Sequence, residues 1–174
     1  MNNSPYLRNI IRFVGFVLLQ VLILKNIEIY PPYIHLLIYP LFIILMPFGM
    51  PIWGTLFLAF FLGISVDVFY DSLGLHAAAS VLTAYARSKL LLLMEPRGGY
   101  DPNLFPGKNT MGLGWFIQFA AIVMGIHMLF YFFLEAFLFA EILTVILKSI
   151  LSFFFSMILI VIHQYLAYPR PRKK

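Results

Sequence analysis

The stretch from Pro51 to Leu62 contains no charged residue, and apolar runs of similar character recur through most of the chain. Such a run folds either as the centre of a large soluble core or across a bilayer. The chain has 174 residues, of which 62% are hydrophobic and only 11% charged. Soluble domains carry about 25% charged residues, and a water-soluble fold of this length has too little interior to hide so much apolar surface. The bilayer is therefore the expected solvent, and a single all-α polytopic membrane domain the expected fold class.

A helical span needs about 20 mostly apolar residues. Six candidates meet or approach that length: Asn9–Leu24, Tyr33–Met46, Pro51–Tyr70, Leu75–Met94, Leu113–Phe137 and Ile142–Ala167. The second is short and contains Pro40, which predicts a kinked or incomplete crossing whose freed backbone groups are met by protein neighbours. YPPY (Tyr30–Tyr33), MPFGMP (Met46–Pro51) and the tight turn DSLG (Asp71–Gly74) punctuate the spans. The connection Glu95–Gly112 is rich in Gly and Pro and predicts irregular structure. The apolar run after Arg8 and Arg12 continues to Leu24 with no small-residue cleavage pattern, so it reads as a retained span. The absence of cysteine excludes disulfides and thiolate metal sites.

The net charge of +5 would suggest nucleic acid in a soluble protein, but its distribution points to membrane orientation. Arg8, Arg12, Arg87, Lys89, Arg97, Lys108, Arg170, Arg172, Lys173 and Lys174 fall on one side of a six-span topology, Lys25 on the other, and Lys148 within the sixth span. Both termini and the Glu95–Gly112 loop are then expected in the cytoplasm, with the basic tail at 168–174 as an orientation signal.

The polar residues inside the spans are the candidate functional groups. Gly63, Asp67 and Asp71 are spaced by four and share one helix face, which should look into the bundle because a carboxylate is costly in lipid. Gly63 permits close helix approach. By depth, Asp67 is expected to pair with Lys148 or His127; Lys148 could equally snorkel to the headgroups. His127, Tyr131 and Glu135 form a second stripe, and His76, Ser80, Thr83 and Arg87 a third. Within the long loop, Arg97 and Tyr100 offer charge and aromatic surface for a cytoplasmic contact. Polar groups of this kind in a helical bundle act more often as glue than as chemistry. There is no phosphate loop, no HExxH and no nucleophile elbow. The histidines at 35, 76, 127 and 163 lack metal-ligand spacing, and Asp67 and Asp71 show no accompanying base or nucleophile. The residues thus point to a non-enzymatic protein without metal or cofactor.

The chain resembles the MreD family of bacterial rod-shape membrane proteins. The resemblance runs from LLQVLILKNIEI (Leu18–Ile29) through the proline-bearing second span to its centre, FLGISVDVFYDSLGLHAAASVLTAYAR (Phe61–Arg87). There Gly63, Asp67 and Gly74 match the family's pattern. EPRGGYDPN (Glu95–Asn103) and IHMLFYFFLEAF (Ile126–Phe137) are similar to one branch of the family. The resemblance implies a six-helix fold similar to the substrate-binding components of energy-coupling vitamin transporters. It implies a non-catalytic scaffold in the cytoplasmic membrane, working with the bitopic scaffold MreC, the actin-like MreB and the RodA polymerase with its transpeptidase. A vitamin-like small-molecule binder is the alternative; that reading requires a roomy cavity with convergent polar groups.

Overall fold

In a computed structural model of the chain, residues 5–27, 33–72, 74–136 and 142–168 are described. Helix α1 (Pro5–Leu18) continues through a π turn (Leu19–Ile23) and a 3-10 turn (Leu24–Asn26). A four-residue helix α2 (Leu41–Ile44) follows, then the long helices α3 (Ile52–Tyr70), α4 (Leu75–Leu93), α5 (Leu113–Ala136) and α6 (Ile142–Ala167). Among the described residues there is no strand. Within those residues, four helices are long and apolar enough to cross a membrane: Asn9–Asn26, α3, α5 and α6. Helix α4 is as long as α3 but carries His76, Arg87 and Lys89.

The second expected span is not a helical crossing. Residues 34–38 are non-helical, and only Leu41–Ile44 form a helix, with Pro40 at its N-terminal boundary and Pro47 beyond its end. Proline lacks an N–H and restricts the residue before it, so a helix through Pro40 would lose its ladder at that point. Helix α1 meets α3 and α3 meets α4; α4 then packs on α5 and α5 on α6. The ring closes where Phe16 meets His163, centroids 5.1 Å apart, and where Arg12 donates to the Tyr168 hydroxyl. Through the middle runs the segment from Leu37 to Met46, buried throughout. The irregular segment is thus a plug inside a ring of five helices.

A non-helical backbone at membrane depth must find partners within the protein, and three side chains supply them. Gln20 Nε2 donates to Leu36 O (2.9 Å) while its Oε1 accepts from Ile38 N (2.9 Å), as a neighbouring strand would. On the opposite side Ser152 Oγ accepts from His35 N (2.9 Å) and Ser156 Oγ from Leu37 N (3.0 Å). None of these three residues stood out in the sequence.

The helix ends form two groups. One gathers Arg12, Arg87, Lys89 and the 95–112 connection; the other gathers Lys25, the α3–α4 turn and the close of α5. The 95–112 connection is irregular, as its composition predicts, but it is docked. Phe48 N donates to Leu104 O (2.9 Å), Gly49 N to Pro102 O (3.0 Å), and the Phe48 and Tyr100 rings stack at 4.3 Å. Residues 30–32 of YPPY, Leu73 of the turn, Phe137, Glu141 and the basic tail at 169–174 lie outside the described residues, as does the Arg8 side chain.

Candidate functional site

Asp67 lies in the last turn of α3 and is buried. Its Oδ1 accepts from Ser72 Oγ (2.6 Å), His76 N (3.0 Å) and His76 Nδ1 (3.1 Å), and its Oδ2 from Ala77 N (2.9 Å). His76 and Ala77 are the second and third residues of α4, where backbone N–H groups lack helical partners and the helix dipole favours a negative charge. Asp67 is therefore the N-terminal cap of α4, supplied by the preceding helix across the turn. The expected pairing with Lys148 or His127 is not what the chain forms. Lys148 Nζ donates to Glu135 Oε2 at 3.0 Å, and both side chains are part-exposed. Depth alone could not separate these partners: several polar groups share this end of the bundle, and only the turn geometry brings α4's first N–H groups onto Asp67.

The turn itself needs its glycines. Gly74 has φ +86°, a left-handed conformation that Gly adopts without a Cβ penalty. Gly63 packs against the start of α4: a Cβ there would stand 2.3 Å from Ala77 Cα and 2.6 Å from His76 O. The expected close approach at Gly63 is thus present, and its partner is the backbone of the helix that Asp67 caps. Asp71 shares the face by spacing but ends α3 with φ 52° and is exposed.

Contrary to the expectation that no base or nucleophile accompanies Asp67, the fold places His76 and Ser72 beside it. Ser72 Oγ is also 2.9 Å from His76 Nδ1. In a nucleophilic triad the acid and the hydroxyl bind different ring nitrogens, so that a proton passes through the imidazole. Here both meet Nδ1, the serine proton points at Asp67, and buried Nε2 has no partner among the described residues. The geometry orients the His76 ring and stabilises the turn rather than relaying a proton.

His127 occupies a separate joint. Its Nδ1 is 2.8 Å from Thr83 Oγ1 and its Nε2 is 2.8 Å from the Tyr39 hydroxyl. Thr83 Oγ1 donates its one proton to Ala79 O (2.6 Å), so it accepts from Nδ1–H. Nε2 meets the Tyr39 hydroxyl, and the imidazole ties the plug to α4 and α5. Arg97 is exposed, and half-buried Tyr100 packs against Phe48 and Trp115. Burial, with the Glu95 carboxylate nearby, raises the Tyr100 phenol above its ordinary range. The predicted loop contact site therefore has an exposed cation beside an aromatic already used for docking.

Beside the α3–α4 turn an open cleft of about 660 Å³ is lined by Lys25, His35, Tyr70, Asp71, Ser72, Tyr131 and Glu135, among others. A smaller space of about 60 Å³ adjoins it behind Tyr70 and Tyr131. Among the described residues no group of three or more His, Asp or Glu could hold a metal ion. No protein-family model, curated protein or solved structure matches the chain.

Proposed function

We propose that this protein is a non-catalytic scaffold of the cell-elongation machinery in the bacterial cytoplasmic membrane, as its resemblance to MreD implies. It would couple an MreC-like bitopic scaffold and an MreB-like cytoskeleton to a RodA-like polymerase and its transpeptidase. One observation carries the reading: Gly63, Asp67 and Gly74, the positions that carry the resemblance, all serve one joint between α3 and α4. Their side chains, or lack of them, set helix approach, cap and turn, which is what a rigid docking body needs. The exposed ridge Trp53, Phe57 and Phe61 on α3, spaced by four, supports a surface for lipid or a partner's membrane helix.

In this reading the chain crosses the membrane six times, five times as a helix and once as the buried plug. Both termini and the 95–112 connection face the cytoplasm, on the positive-inside argument. Single cysteines at Asn103 and Asp71, both exposed and at opposite ends, test this directly. Asp71→Cys is expected to react with an impermeant reagent from outside intact cells and Asn103→Cys only after permeabilisation; the reverse would overturn the orientation.

The vitamin-like binder is favoured by the 660 Å³ cleft, whose size and convergent polar groups fall in the range of ligand sites. Purification from the native membrane separates the two readings. Co-purifying wall synthases and a bitopic scaffold support the first. A tightly held small molecule without those proteins overturns it in favour of the second.

A further inference from the structure

The opposite end of the bundle holds a charge that the scaffold reading does not use. Arg87, in the last two turns of α4, is 1% exposed. Its hydrogen bonds run from Nη2 to Met46 O (2.5 Å) and Pro47 O (3.3 Å), and its buried Nε has no partner among the described residues. No carboxylate pairs with it among the described residues; the ion pairs there are Asp67–His76 and Glu135–Lys148. Guanidinium groups stay charged inside proteins, and a buried charge without a counter-charge is costly. Two carbonyl oxygens offset only part of that cost.

Arg87 forms part of the wall of an open cavity of about 460 Å³. Ser88 and Lys89 stand in the same wall, with Glu95 as its one acid and Tyr100 beside it. The lining charges sum to one positive, from Arg87 and Lys89 against Glu95. The rest of the wall is apolar and includes Ile52, Leu91 and Leu92, of which Leu92 is largely exposed. A cationic end joined to an apolar flank on a helix surface matches a molecule with an anionic head and a hydrocarbon chain.

We propose that this cavity is a binding site for an anionic phospholipid. The headgroup phosphate, with one negative charge, would offset the single net positive charge of the lining at Arg87 and Lys89, and an acyl chain would lie along Ile52, Leu91 and Leu92. A free phosphate ion would leave that apolar wall uncovered. The location fits the chemistry on the orientation proposed above, in which the cavity, at the basic end of the bundle, faces the anionic cytoplasmic leaflet.

Native mass spectrometry of the full chain, delipidated in detergent and titrated with phosphatidylglycerol or phosphatidylcholine, tests the assignment. Arg87→Gln also removes the clamp on Met46 and Pro47, so variants that leave the clamp intact are the decisive ones. Phosphatidylglycerol is expected to bind about tenfold more tightly than phosphatidylcholine, which has the same phosphate but sets a choline cation beside Arg87 and Lys89; tenfold corresponds to about 1.4 kcal/mol. Lys89→Gln and the cavity-filling Ser88→Phe should each weaken it about tenfold on the same scale, and Glu95→Gln should strengthen it. Equal affinity for the two lipids, or binding indifferent to both Ser88→Phe and Lys89→Gln, would overturn the site. Displacement of the lipid by millimolar inorganic phosphate would overturn the lipid assignment in favour of a soluble anion.

Discussion

Removing the Asp67 carboxylate is the sharpest test of the α3–α4 joint. Asp67→Ala deletes an acceptor that takes four hydrogen bonds, two of them from buried backbone N–H groups in the first turn of α4. Loss of an ordinary N-cap costs about 1 kcal/mol, with a range of about 0.5–2. Bonds to a charged acceptor are stronger, about 1.5–3 kcal/mol each in soluble proteins. Polar contacts in membranes measure less, with a mean of about 0.6 and a maximum of about 1.7 kcal/mol. Ser72 and His76 can still bond each other after the change. A total of about 2–3 kcal/mol follows, combining a lost cap with the charged contacts on the membrane scale. Asp67→Asn keeps one acceptor oxygen, but its amide would turn a donor toward Ala77 N–H or toward the Ser72 and His76 donors; about 1–2 kcal/mol is expected. Denaturant-driven unfolding in detergent gives both values, and hydrogen exchange at His76 and Ala77 localises them to the first turn of α4. Because Lys148 bonds Glu135 and shares no partner with Asp67, adding Lys148→Met to Asp67→Ala should be additive. Rescue by that second change, or unchanged exchange at His76 and Ala77, would refute the capping argument.

Gly63→Ala sets a methyl 2.3 Å from Ala77 Cα, where only backbone movement relieves the clash; a loss of at least about 1–3 kcal/mol is expected in the same unfolding assay. Gln20→Leu removes the bonds to Leu36, Ile38 and Tyr70 and should cost more than Ser156→Ala, which removes one; unfolding free energies measured side by side check the order. Lys148→Met breaks a part-exposed pair with Glu135 and should change stability by less than about 1 kcal/mol, with a salt dependence that disappears in the variant.

The membrane character, four of the spans and the breaks at Met46–Pro51 and after Tyr70 were legible because hydropathy and turn chemistry are local properties. Each is decided by the residues within one span or one turn, with no reference to the rest of the chain. Pro40 likewise announced a defective second span, since a missing N–H is written in the residue itself. The inward face of Asp67 and the close approach at Gly63 followed from helical periodicity. What Asp67 meets did not: its partners lie five, nine and ten residues away, in and across a turn whose geometry depends on the left-handed Gly74. The pattern of an acid, a turn glycine and a helix start was visible, but depth in the bilayer drew the pairing toward Lys148 instead. Gln20, Ser152 and Ser156 were less legible still. A lone amide or hydroxyl in an apolar helix has no local signature of its partner, because that partner is the backbone of a distant segment. Only the tertiary structure brings α1 and α6 to opposite sides of residues 34–38, and only there do three unremarked side chains become the hydrogen-bond partners that let an irregular stretch of chain exist inside a membrane bundle.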